Sequence, residues 1–125
     1  MNGFMIATQD SPGIAARLLE ATAARGVNAF PFYGLADGTT GIILVGSDDE
    51  EGLRGAIADA GLSGTALEMV VTELENRPGT GAELFRRLAD AGVSLRAAVP
   101  IGMGGDTIQV ALAADDAAAL KAALG

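Results

Sequence analysis

QDSPGIAARLLEATAARGVN, Gln9 to Asn28, carries an exit from an apolar run, a Ser-Pro-Gly helix start and a Gly helix stop. Ser11 is the predicted N-cap and Pro12 the first helical residue, where a missing N–H costs nothing. Ile14, Leu18 and Ala21 or Thr22 then recur at helical spacing, with Arg17, Glu20 and Arg25 off that stripe. Gly26 ends the helix in the left-handed position that glycine favours. The pattern occurs twice. Glu75 to Ser94 reads ENRPGTGAELFRRLADAGVS, and Pro12/Pro78, Gly13/Gly79, Leu18/Leu84, Ala23/Ala89, Gly26/Gly92 and Val27/Val93 pair at a constant offset of 66 residues. An internal repeat of this length frames every other expectation.

Outward from this segment, Gly3 to Thr8 is a short apolar run and the first predicted strand. Residues Ala29 to Leu35 and Gly41 to Gly46 read as two arms of a hairpin around Ala-Asp-Gly-Thr-Thr, with Pro31 pushing the first arm to a sheet edge or a bulge. Asp48, Asp49, Glu50 and Glu51 crowd into the first turn of a second helix, where negative charge suits the helix dipole. Leu53, Ile57 and Ala60 give that helix its buried stripe, and Gly61 stops it. The second half repeats the order: a strand over Thr65 to Leu74, a helix over Pro78 to Ala91, a hairpin of Leu95 to Ile101 and Thr107 to Ala113, and a helix over Asp115 to Leu124.

The pattern is βαββα, twice. Right-handed connections through helices make each half an α+β, ferredoxin-like unit with an antiparallel sheet and its helices on one face. The expected domains are residues 1–66 and 67–125, sharing one long strand at about 65–75, with no closing strand for the second. Phe30, Phe32, Ile43 and Val45 are expected on the sheet face away from the helices. An apolar face of that kind needs a partner, so halves or protomers should pack together.

Composition narrows the function. The chain of 125 residues is 50% hydrophobic with mean hydropathy +0.36, enough to bury a core. Net charge is −8 and aromatic residues make up 4%, which disfavours nucleic acid: a phosphate backbone needs clustered Lys and Arg, and RNA-recognition sheets need exposed aromatics. No apolar run reaches the roughly 18 residues of a membrane span, and the N-terminal residues lack a signal-peptide pattern. A cytoplasmic protein is the expectation. There is no His and no Cys, which removes Ser-His-Asp triads, Cys nucleophiles and His-based metal sites. The acidic run 48–51 lacks the spacing of a calcium loop, and Gly102-Met103-Gly104-Gly105 precedes a strand and no Lys, so it is a hairpin and not a phosphate cradle.

The order strand, Asp-x-Pro-Gly, amphipathic helix, Gly-Val-Asn, strand resembles the ACT domain, a small ligand-sensing module, here in tandem. The first copy reads DSPG with GVN and the second NRPG with GVS, so the second departs at Asn76, Arg77 and Ser94. The resemblance implies binding of a free amino acid or similar metabolite near the loop before the first helix, usually at an interface between modules. It brings Asp10, Ser11, Pro12, Gly13, Ile14 and Asn28 into the candidate site of the first copy, and Asn76, Arg77, Pro78, Gly79, Thr80 and Ser94 into that of the second. Helix-start N–H groups suit a carboxylate, and Gly13 or Gly79 lets a ligand approach the backbone. Asp10 can meet an ammonium, Asn28 and Ser94 can offer an amide or hydroxyl, and Ile14 and Thr80 would border the ligand's side chain.

Local chemistry also offers plainer roles. Asp10, Ser11 and Asn76 are residues that any helix start or turn prefers, and the four glycines serve as backbone punctuation. The expectation is a regulatory, amino-acid-binding protein without catalysis, metal or cofactor, forming a homodimer or acting on a regulated enzyme. The alternatives are an interaction module with degenerate sites and, third, a small enzyme using carboxylates alone.

Overall fold

A computed structural model describes residues 2–125. The elements run β1 (Asn2–Gln9), α1 (Ile14–Ala24), β2 (Phe32–Ala36), β3 (Thr40–Gly46), α2 (Glu50–Asp59), β4 (Thr65–Glu75), α3 (Thr80–Asp90), β5 (Leu95–Gly104), β6 (Thr107–Ala114) and α4 (Ala117–Leu124). The chain divides into two compact units, Met1–Leu67 and Glu68–Gly125, and the division falls inside β4. Each unit is ferredoxin-like, with an antiparallel sheet and both helices on one face.

In the first unit the strand order is β2-β3-β1, which leaves β2 at an edge. Phe4 and Ile6 of β1 stand opposite Val45 and Ile43 of β3, and these four pack with Leu18 of α1 and with Leu53 and Ile57 of α2. That overturns the expectation for Phe32, Ile43 and Val45: Ile43 and Val45 are buried under the helices and Phe32 packs against the same core. Four consecutive apolar residues, Ile42 to Val45, make both faces of β3 look alike, and the register with Phe4 and Ile6 decides which face turns inward. The face away from the helices carries Tyr33, Leu35 and Ile42 instead.

In the second unit the order is β4-β6-β5. Leu84 and Leu88 of α3 and Leu120 of α4 bury against Val110, Leu112 and Ala114 of β6, with Val70, Leu74 and Ile108 partly covered beside them. Two irregularities in β5, between Leu95 and Ala97 and between Pro100 and Gly102, adjust its register to β6.

The helix ends show why the repeat reads as it does. The Val27 N–H donates to the Thr22 carbonyl and the Gly26 N–H to that of Ala23; Val93 and Gly92 make the same pair of bonds to Leu88 and Ala89. Glycine closes the helix and the following valine returns to the core, so Gly-Val is the helix-stop signal in both copies. The starts differ from expectation. Neither Ser11 nor Pro12 is in α1: its N-cap is Gly13, at φ 89°, and no side chain caps it. α3 likewise starts at Thr80 behind Gly79 at φ 95°, not at Pro78. A residue at positive φ cannot be helical, so the helix begins only after the glycine. The fourth helix is also shorter than expected, with Asp116 as its N-cap.

Candidate functional site

The two N-terminal loops that carry the repeated Pro-Gly are tied to the hairpin turns beside them. The Asp10 N–H donates to the Thr39 carbonyl at 3.0 Å, and the Asn76 N–H donates to the Asp106 carbonyl at 2.6 Å. Beside Asp10, the carboxylate of Asp37 accepts N–H bonds from Thr39 (2.9 Å) and Thr40 (2.8 Å). The Thr40 and Thr39 backbone bonds hold its pKa below the ordinary carboxylate value. Turn and loop therefore form one hydrogen-bonded rim at the end of each sheet.

At the first rim lies a cleft of about 180 Å³. Gln9, Asp10 and Ser11 line one side of it, and Ile14 and Ala15 of α1's first turn line another. Its remaining walls are Thr8 of β1, Gly34, Leu35 and Ala36 of β2, and Gly41, Ile42 and Ile43 of β3. The first N–H groups of a helix have no partner within it, and here no side chain supplies one, so α1 presents free backbone donors at this end. Among the described residues lining the cleft, Asp10 is the one charged side chain, and no ion pair engages it.

A second cleft, of about 380 Å³, occupies the repeat-equivalent place, bounded by Glu73, Leu74 and Glu75 of β4, Arg77 of the loop, and Thr80, Glu83, Leu84 and Arg87 around α3. Gln9/Glu75, Ser11/Arg77 and Ile14/Thr80 are pairs at the 66-residue offset. Its chemistry is different. Arg77 Nε donates to Glu75 Oε2 at 2.6 Å, which raises the guanidinium's pKa, and Glu83 stands 4.0 Å away on its other side. The Thr80 hydroxyl is spent on the Glu75 carbonyl at 2.7 Å.

Of the residues expected at the first site, Asp10, Ser11 and Ile14 line the cleft, Pro12 and Gly13 shape the loop beside it, and Asn28 is exposed just beyond the end of α1, outside the lining. At the second, Arg77 and Thr80 line the cleft, Asn76, Pro78 and Gly79 form the loop, and Ser94 is exposed after α3. Sequence reasoning passed over the floor of the first cleft, above all Gly34 and Gly41. The signal was there: a glycine inside a strand marks a place where something approaches the backbone closely. Asp49, from the acidic run, caps α2 by accepting the Gly52 N–H at 2.9 Å. Among the described residues no cluster of three or more Asp or Glu could hold a metal ion.

No family model matches the chain, and no curated protein matches it in sequence. Solved structures do match it in shape. A protein from Bacteroides thetaiotaomicron superposes with a TM-score of 0.81 at 16% identity, over 98% of this chain and 85% of that one. The regulatory subunit of aspartate kinase from Thermus thermophilus, in its ligand-free form, gives 0.62 at 22% identity, over 98% and 88%. The corresponding subunit from Thermus flavus gives 0.64 at 21%, over the same shares. At these identities the likeness is one of fold, and the fold is a pair of ferredoxin-like, ACT-like units.

Proposed function

We propose that this chain is a regulatory protein that binds an amino acid at the loop between the first strand and first helix of a unit. Each unit is, on this reading, one ACT-like module, residues 1–66 and 67–125, and the chain does not catalyse a reaction. The observation that carries the reading is the recurrence of a cleft at the same place in both copies, against a helix start that no side chain caps. The fold shared with a regulatory subunit of aspartate kinase supports it.

A zwitterion fits the first rim by charge. Its carboxylate faces the free N–H groups of α1, and Asp10, with no ion pair of its own, faces its ammonium. Binding orders the Asp10–Ile14 loop, and a few kcal/mol of differential affinity suffices to shift a two-state equilibrium read by a second copy of the chain or by a regulated enzyme.

Thermal-shift measurement against each proteinogenic amino acid tests this directly. At about 100 times Kd, a bound ligand adds about 2.7 kcal/mol to stability, so at least one should raise Tm clearly. Asp10→Asn should weaken that ligand tenfold or more. No shift with any amino acid would refute the reading.

A second reading has its own observation. Leu35, 81% exposed, stands opposite Ile42, 48% exposed, a small apolar group at the edge of the first sheet. Such a group suits a protein partner, and a stable complex formed without any small ligand would favour an interaction module.

A further inference from the structure

We propose that the first cleft selects an amino acid with a small, uncharged aliphatic side chain, and that the second cleft does not take this ligand. The inference rests on the reading above and goes further by naming the ligand class. It comes from the cross-strand register. Thr8 stands opposite Gly41, Gly41 opposite Ala36, and Gly34 opposite Ile43, so Thr8, Gly34, Ala36 and Gly41 share the sheet face that Ile43 turns toward the helices. All four are small, and they lie together at the end of the sheet by α1's first turn. A Cβ added at Gly34 would meet nothing within 4 Å. Gly34 and Ala36 are exposed on this edge strand, so the sheet surface is open there and continuous with the cleft.

The same register in the second unit gives the opposite result. Leu74 stands opposite Ile108, Met103 opposite Ile108, and Pro100 opposite Val110. Where the first unit has Thr8, Gly41, Ala36 and Gly34, the second has Leu74, Ile108, Met103 and Pro100. Leu74 and Ile108 pack into its core, so the floor is filled. The second cleft is accordingly bounded by β4, the loop and α3, takes nothing from β5 or β6, and lies among charged side chains.

Size and charge then define the ligand. The cleft, of about 180 Å³ and open to solvent, has room for a small amino acid whose side chain rests on the small residues of its floor. Asp10 is committed to the ammonium. A second carboxylate on the ligand would find no cation in the lining, and a second ammonium would find no further carboxylate there. Each added methylene that packs on this floor is worth about tenfold or more in affinity, so the open surface over Gly34 favours valine or leucine over glycine.

Isothermal titration of the full chain with glycine, alanine, valine, leucine, phenylalanine, aspartate and lysine tests the proposal. The expected result is one site per chain, tightest for alanine, valine or leucine, with phenylalanine, aspartate and lysine at least tenfold weaker. Gly34→Val fills open space without a clash and should cost valine or leucine at least tenfold while sparing glycine. Gly41→Ala, whose new methyl meets nothing closer than 3.5 Å, should act in the same direction and serves if Gly34→Val unfolds. A charged or aromatic ligand binding best, two equivalent sites, or unchanged valine and leucine affinity in folded variants would overturn this inference and leave the amino-acid reading standing. Absence of binding by every amino acid would remove both.

Discussion

Gly13 and Gly34 show how differently two glycines serve one site. Gly13 holds φ at 89°, a conformation that puts the Cβ of any other residue close to its own carbonyl, although a methyl there would touch no neighbour. Gly34 has ordinary strand geometry, and what matters is the space above it. Gly13→Ala should therefore lower stability by about 1–2 kcal/mol through backbone strain. Gly34→Ala should stay within about 0.5 kcal/mol of the parent chain. Urea denaturation of the two variants checks the contrast, and equal costs would contradict it. The same glycine explains why the helix start was misjudged. Ser-Pro reads as a cap and first residue, yet the positive φ that follows forbids helix at Gly13, so Ser11 and Pro12 belong to the rim.

Among the elements, helix starts divide into two kinds. α2 and α4 are capped by Asp49 and Asp116, which accept the N–H groups of Gly52 and Ala119 at 2.9 Å each, whereas α1 and α3 begin bare behind a glycine. Asp49→Ala should cost about 1 kcal/mol, as loss of a cap does, while Ser11→Ala should leave unfolding unchanged. A matching loss at Ser11 in urea titrations would make it a cap after all and take away the free donors on which ligand binding depends. The β2–β3 hairpin gives an acid-side signature. The folded-state pKa of Asp37 lies below its unfolded value of about 3.9, so its contribution is present above that pH and is lost as pH falls through the lowered folded value. Asp37→Ala should thus destabilise the chain above about pH 5 and converge with the parent in strong acid. Tm measured against pH would show parallel curves if the Thr39 and Thr40 bonds carried no linkage. The succession of elements and their antiparallel pairing were legible at this scale, because glycine or proline marks each boundary up to β6, and the β6–α4 junction is marked by Asp115-Asp116 instead. Facing was not: Ile42 to Val45 are apolar without alternation, and only pairing with Phe4 and Ile6 turns Ile43 and Val45 inward.

Across the whole molecule, the duplication was readable, and so were the second copy's departures at Asn76, Arg77 and Ser94; the divergence of the two sheet faces was not. Pro-Gly and Gly-Val recur at a fixed offset because both units need the same turn and the same helix stop. The exchange of Thr8, Gly34, Ala36 and Gly41 for Leu74, Pro100, Met103 and Ile108 becomes visible only once register places four separated residues on one face. Charge adds a prediction at this scale. The ion pairs are exposed ones such as Arg25 with Asp59 at 2.7 Å and Arg96 with Asp115 at 2.8 Å, each worth little in water. Against them stands a net charge of −8, whose self-repulsion acts on the whole chain. Raising salt from about 0.01 to 0.15 M shortens the screening length from about 30 to about 8 Å and weakens both effects. Because repulsion is the larger, Tm near pH 7 should rise with sodium chloride over that range, by calorimetry or dye fluorescence. The affinity of a ligand with no net charge should barely move in the same titration, since screening the chain's overall field does not act on a zwitterion. A Tm that fell with salt would mean that the surface pairs outweigh the net charge, and a steep salt dependence of binding would mean that the ligand itself is charged.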